Sequence, residues 1–177
     1  MKFRFSRHFS SLTVSAVGLA CAAIAPPSLA AGTASANLSV SAIVNSSCTI
    51  TAGTVAFGAY DPIVANATTP LDANGTVSTT CTTGSAVTIT LGQGGHAGNG
   101  ATDAVPVRQL GVGGDLLAYN LWSNSGYTTM WGGTKATGVD GIGTGAASTL
   151  TVYGRIAPGQ VVPVGTYTDT VVATVSF

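Results

Sequence analysis

Apolar and polar residues alternate in short runs along this chain, the runs are cut by glycine or proline at short intervals, and no 3.6-residue apolar period persists over three turns. With 24 glycines and 7 prolines spread through the sequence, long helices are excluded, and the fold class that remains is all-β, a two-layer sandwich. The clearest alternation runs from Thr166 to Phe177. Tyr167, Val171, Ala173, Val175 and Phe177 share one parity with Asp169, while Thr166, Thr168, Thr170, Thr174 and Ser176 dominate the other. A second alternating stretch lies far upstream: Ala34, Ala36, Leu38, Val40, Ala42 and Val44 on one parity, Ser35, Asn37, Ser39, Ser41 and Asn45 on the other, broken only by Ile43.

Strands are predicted over residues 38–51, 55–60, 75–81, 86–91, 105–110, 116–122, 128–131, 148–156 and 166–177. The glycine-rich stretches 92–100 and 132–145 are predicted to be loops, because glycine is entropically costly inside a strand. From pattern alone, the last strand could be an ordinary sheet edge and the upstream stretch an ordinary first strand.

Lys2, Arg4 and Arg7 precede an apolar run from about Leu12 to Ile24, followed by Pro26-Pro27-Ser28-Leu29-Ala30. This is the pattern of a secretory signal peptide over residues 1–30, cleaved after Ala30 or, alternatively, Ala31. The run is shorter than the roughly 20 residues that span a bilayer. Gly18-Leu19-Ala20 before Cys21 lacks the usual apolar residue three places before the cysteine of a lipoprotein signal. Removing the leader takes three of the six cations. Arg108, Lys135 and Arg155 remain against six aspartates and no glutamate, a net charge of −3. Nucleic acid and anionic membranes are therefore poor partners, and so few charges weaken the usual defence against edge-to-edge strand association.

Cys48 and Cys81 are the two cysteines left after cleavage, and an even pair in an exported chain reads as a disulfide. His96 is the one histidine outside the leader, too few ligands for a zinc site, so neither metal nor cofactor is expected. Gly141-Ile142-Gly143-Thr144-Gly145-Ala146 fits a loose dinucleotide pattern but opens no helix. No Gly-x-Ser-x-Gly elbow and no spare cysteine nucleophile accompany His96, which argues against an enzyme. Tyr119, Trp122, Tyr127 and Trp131 invite a sugar-platform reading, although aromatic residues in paired strands more often pack as core or cross-strand neighbours.

Seven stretches, in order across the chain, carry a family likeness: Cys48-Thr49-Ile50, Phe57-Gly58-Ala59-Tyr60-Asp61-Pro62, Val77-Ser78-Thr79-Thr80-Cys81, Leu117-Ala118-Tyr119-Asn120-Leu121-Trp122, Met130-Trp131-Gly132, Thr149 through Ile156, and Pro163 through Val171. On these the chain resembles the spore coat protein U domain family, the subunits of archaic chaperone-usher (Csu-type) pili. It departs from the family at Trp122, where tyrosine is common, at Ala157-Pro158-Gly159, and at His96, where no fixed residue is expected.

The resemblance implies an incomplete immunoglobulin-like β-sandwich lacking its last strand and completed by donor-strand complementation: first by a periplasmic pilus chaperone, then, at the outer-membrane usher, by the N-terminal extension of another copy or a sibling subunit. Physically this is β-strand addition, with backbone hydrogen bonds holding the edge and alternate side chains filling pockets. It implies three segments: residues 1–30 as leader, 31–40 as donor extension, and 41–177 as the pilin domain. Ala34, Ala36, Leu38 and Val40 are the expected donor residues. Tyr167, Val171, Ala173, Val175 and Phe177 are the expected wall of the acceptor groove and chaperone-binding strand, faced by Ile50, Leu150 and Val152. Burying a leucine or valine contributes about 1.5–3 kcal/mol, so Leu38 and Val40 should dominate the donor energy. Asp169, on the apolar parity, needs a partner, and Arg155 is the expected one. The implied function is a structural subunit of a cell-surface pilus for adhesion and biofilm formation. The chain is too short to add a receptor-binding domain, which favours a shaft or adaptor subunit. The alternative is a secreted carbohydrate-binding or adhesin sandwich.

Overall fold

The structure, a computed structural model, describes residues 31–177, so the predicted leader lies outside the described residues. Ala42–Phe177 form one compact unit, and residues 31–41 lie outside it. The strands are β1 (Cys48–Ala52), β2 (Leu71–Cys81), β3 (Ala86–Leu91), β4 (Arg108–Val112), β5 (Asp115–Trp122), β6 (Val139–Ile142), β7 (Ala147–Ile156) and β8 (Ala173–Ser176). They make a five-stranded sheet, β1-β2-β7-β5-β4, and a three-stranded sheet, β6-β3-β8. Every pairing is antiparallel.

Parity sets what faces the core. Along β7, Val152, Gly154 and Ile156 are buried while Tyr153 and Arg155 alternate on the other face, and along β5 Leu117, Tyr119 and Leu121 are buried. These meet Ile89 and Leu91 of β3. Trp131, fully buried, closes the core and donates its indole Nε1–H to the Ile89 carbonyl at 2.9 Å. The β4–β5 hairpin turns through Gly113-Gly114, with Gly113 at φ 60, a backbone region glycine enters freely. Cys48 and Cys81 are direct cross-strand partners in β1 and β2 and are disulfide-bonded, 33 residues apart in sequence.

Several strand expectations change. The strand predicted over 38–51 begins only at Cys48, and residues 31–47 form no regular element. β2, the partner of β1, ends its ladder at Cys81 and turns, and upstream of Cys48 only Asn45, Ser46 and Ser47 stay tied to that turn. Residues 55–60 form no ladder, although Val55, Phe57 and Tyr60 pack partly buried against the core. Residues 128–131 keep a single bridge, Trp122 to Met130. The stretch 132–145, predicted to be a loop, contains β6, whose residues pair with Ala86–Ile89 and whose Asp140 carboxylate accepts a hydrogen bond from Thr88 Oγ1 at 2.6 Å. Of 166–177, only Ala173–Ser176 is ladder strand.

Candidate functional site

The terminal segment crosses from one sheet to the other. Thr168 exchanges two backbone hydrogen bonds with Gly111 of β4, at 2.9 and 3.1 Å, the Val172 carbonyl accepts from Gly92 N–H at 2.9 Å, and Ala173–Ser176 then pair with β3. β8 is the margin of its sheet, and among the described residues its outer edge has no strand partner. Such an edge presents unpaired backbone donors and acceptors, a template for another strand.

Beside this segment lies a groove of about 700 Å³, walled by residues 55–63 on one side and 161–167 on the other, with Leu110, Leu117 and Ile156 on its floor. Each wall is held by specific groups. On one side, a Cβ at Gly154 would lie 2.8 Å from Val55 Cγ1 and 2.9 Å from Phe57 Cζ, so the bare glycine lets the 55–57 wall settle on β7. Phe57 meets Tyr119 edge-on, with ring centroids 6.0 Å apart. The Tyr60 hydroxyl donates to the Ala157 carbonyl and accepts from Gln160 N–H, both at 2.9 Å, and the Gln160 amide pairs with both backbone groups of Ala118. On the opposite wall, Tyr167 donates its hydroxyl to the Pro163 carbonyl at 2.9 Å. Ile63, Val161 and Val164 stand exposed at the mouth, and Asp61 turns its carboxylate back to accept from the N–H groups of Ile63 and Val64. Those two bonds hold the Asp61 carboxyl below the usual aspartate range.

Further along the same segment, past the groove, the inward side chain is polar. The Asp169 side chain is only 1 % exposed, and it accepts hydrogen bonds from Tyr119 O–H at 2.6 Å and Gly95 N–H at 2.7 Å, with His96 Nδ1 at 3.4 Å. A Cβ at Gly94 would overlap the Asp169 carboxylate, so the 92–98 loop lies directly on it. Beneath sits Arg108, fully buried. Its Nε donates to the Gly92 carbonyl at 2.9 Å, and one Nη donates to the Leu91 and Trp131 carbonyls at 2.8 and 2.7 Å. Burial pushes the Arg108 guanidinium down to about 10, against the opposing pull of Tyr119 and Asp169, so it stays charged at neutral pH. The Tyr119 phenol is pushed up, first by burial and then by its bond to Asp169. Asp169 is thus satisfied without Arg155, contrary to the sequence expectation. The β2–β7 register puts Arg155 opposite Asp72, where Nε and Nη2 bind the carboxylate at 2.6 and 2.7 Å. The guanidinium also lies 3.6 Å above the Tyr127 ring. Arg155 has the outward parity of β7, whereas Asp169 points inward.

Of the expected groove residues only Tyr167 lines this groove; Tyr167, Val171, Ala173 and Val175 pack partly buried against the core, and Phe177 is more than half exposed. Val152 is core, and Ile50 and Leu150 pack partly buried against it. Ala34, Ala36, Leu38 and Val40 are exposed, Leu38 at 87 % and Val40 at 84 %. Sequence reasoning missed the floor residues Leu110, Leu117 and Ile156, although their parity within β4, β5 and β7 marked them as inward. It also missed the assembly of Asp169, Tyr119, Gly95 and Arg108, which come from four separate segments with no shared spacing. The aromatic residues divide: Tyr119 and Trp131 are core, while Trp122, Tyr127 and Tyr153 stack edge to face.

Comparison with known proteins gives three findings. The sequence pattern of the Spore Coat Protein U domain matches residues 34–174. Protein U of Myxococcus xanthus is 42 % identical over 172 residues, covering 93 % of this chain and 96 % of that protein. The fold is similar to a chain in the crystal structure of the CsuC–CsuE chaperone–tip adhesion subunit pre-assembly complex from archaic chaperone-usher Csu pili of Acinetobacter baumannii. The TM-score is 0.53 at 22 % identity, over 76 % of this chain and 40 % of that chain. This chain therefore spans less than half the length of the solved chain it matches.

Proposed function

Since the chain belongs to the spore coat protein U domain family, we propose that it is a structural subunit that polymerises by donor-strand exchange, exported through the periplasm and assembled into a cell-surface pilus. In this reading it is no enzyme. Its partners are a periplasmic chaperone, an outer-membrane usher, and other copies or sibling subunits, and its polymer serves adhesion and biofilm formation. The observation that carries the reading is the coincidence of a margin strand, β8, with an apolar groove of about 700 Å³ along the segment that leads into it. The likeness to a subunit solved with its chaperone supports the chaperone as partner. Residues 31–40 serve as the donor extension, with Leu38 and Val40 as its main apolar side chains. A coat built by the same subunit pairing is the second reading, favoured by the 42 % identity to Protein U.

Periplasmic expression with and without a cognate chaperone tests the proposal. The full chain should be recovered as a chaperone complex or as fibres. The chain lacking residues 31–40 should still bind chaperone but fail to occupy the groove of another copy. Normal fibre assembly by the truncated chain would sink the donor assignment, and a stable monomer indifferent to chaperone would favour a free binding module.

A further inference from the structure

We propose that Asp169 fixes the register of subunit pairing, and that the donor segment runs to Val44, with Ala42 of one copy placed opposite Asp169 of the next. This rests on the strand-exchange reading above. The first support is where the free segment stops. Ser46 Oγ bonds Ser85 Oγ at 2.7 Å, the Ser47 carbonyl accepts from Thr82 N–H at 2.9 Å, and Thr82 Oγ1 reaches the Asn45 carbonyl at 3.5 Å, so these residues are tied to the β2–β3 turn. Ile43 and Val44, just before them, are 87 % and 82 % exposed. Of these two apolar side chains left in water, Val44 is in phase with Leu38 and Val40 and extends the apolar row past Val40.

The second support is what surrounds Asp169, two residues past the groove-lining Tyr167. At Asp169 the space is already filled: the carboxylate is covered by Gly94, Gly95 and His96 and takes its hydrogen bonds from Tyr119 and Gly95. A donor side chain there finds no room for bulk, and the carboxylate already has its hydrogen bonds, which selects alanine. Facing positions pack best when large meets small. Every strand pair in this fold is antiparallel. With Ala42 opposite Asp169, an antiparallel donor sets Val44 against Tyr167, which lines the groove, Val40 against Val171, Leu38 against the small Ala173, Ala36 against Val175, and Ala34 against Phe177. Sliding by two residues in one direction places Val40 on Asp169 and alanine against alanine at Ala173. Sliding in the other places Val44 on Asp169 and Leu38 against Val175.

Differently tagged copies carrying single cysteines, co-expressed with the chaperone, read the register directly, because facing Cβ atoms in an antiparallel pair lie about 4.5–5.5 Å apart. Leu38→Cys with Ala173→Cys, and Val40→Cys with Val171→Cys, should give disulfide-linked heterodimers, while Leu38→Cys with Val171→Cys should not. Ala42→Leu, at a residue exposed in the subunit, should lower assembly about tenfold or more through overpacking at Asp169. Cross-linking in a shifted register, or unimpaired assembly of Ala42→Leu, overturns the inference and leaves strand exchange standing. Absence of cross-links in every register, with assembly unaffected by deletion of residues 31–40, overturns both.

Discussion

Replacing Asp169 by asparagine and Tyr119 by phenylalanine, singly and together, measures how strongly the buried polar cluster holds the terminal segment. In the intact protein the carboxylate accepts from Tyr119 O–H at 2.6 Å and Gly95 N–H at 2.7 Å while 1 % exposed. A hydrogen bond to a buried charged group contributes about 1.5–3 kcal/mol, so Tyr119→Phe should cost about 2 kcal/mol. Asp169→Asn removes the charge-assisted bond from Tyr119 and leaves the buried Arg108 without its anionic neighbour, a loss of about 3 kcal/mol. Because each change removes the same bond, the double variant should be less destabilised than the sum by about 1–2 kcal/mol. Urea unfolding followed by tryptophan fluorescence suits the measurement, since Trp131 is fully buried. With a slope of about 1–3 kcal/mol per molar urea, the Tyr119→Phe midpoint should fall by about 1 M. Additivity within about 0.3 kcal/mol would show that the two residues do not act as a unit, and the account of Asp169 given above would be wrong.

Gly154→Ala drives a Cβ into Val55 and Phe57. It should lift the 55–57 wall and cost about 1–3 kcal/mol, read as a lower unfolding midpoint together with faster proteolysis near residue 57. Asp72→Asn tests the exposed Arg155 pair. The bond to Arg155 lowers the Asp72 carboxyl in the folded protein, so its stabilisation is fully present above the unfolded value of about 3.9 and is lost as pH falls through the lower folded value. Screening limits it to about 1 kcal/mol or less. The variant should therefore trail the native protein at pH 7, with the gap narrowing as pH falls below about 3.9; a constant gap down to low pH would refute the pairing.

The alternation that defined β2, β5 and β7 was legible because both the ladder and the buried face follow from period 2 in those strands. Elsewhere the two separate. Val55 and Phe57 alternate and pack inward, joined by Tyr60, yet their backbone has no ladder. Tyr167 and Val171 behave alike, and only Ala173–Ser176 finds β3 as a partner. A period-2 pattern reports which side chains are buried, whereas pairing depends on whether a neighbour is present, and the mismatch falls on the margins of the groove. β6 was hidden for the opposite reason. Val139-Asp140-Gly141-Ile142 carries little apolar signal and is held by its ladder to β3 and by Thr88. The pairing of Asp169 with Tyr119 and not Arg155 required the parity of β7 to be applied to its charged residues as well as its apolar ones.

The disulfide also determines how the body meets tension. Cys48 is the first residue of β1 and is bonded to the residue it faces on β2. A pull on the chain upstream of Cys48 therefore cannot peel β1 away one hydrogen bond at a time from that end. It passes through the sulfur bridge into β2, and from there into the ten-residue β2–β7 ladder, so the load is shared across many bonds in the middle of the larger sheet.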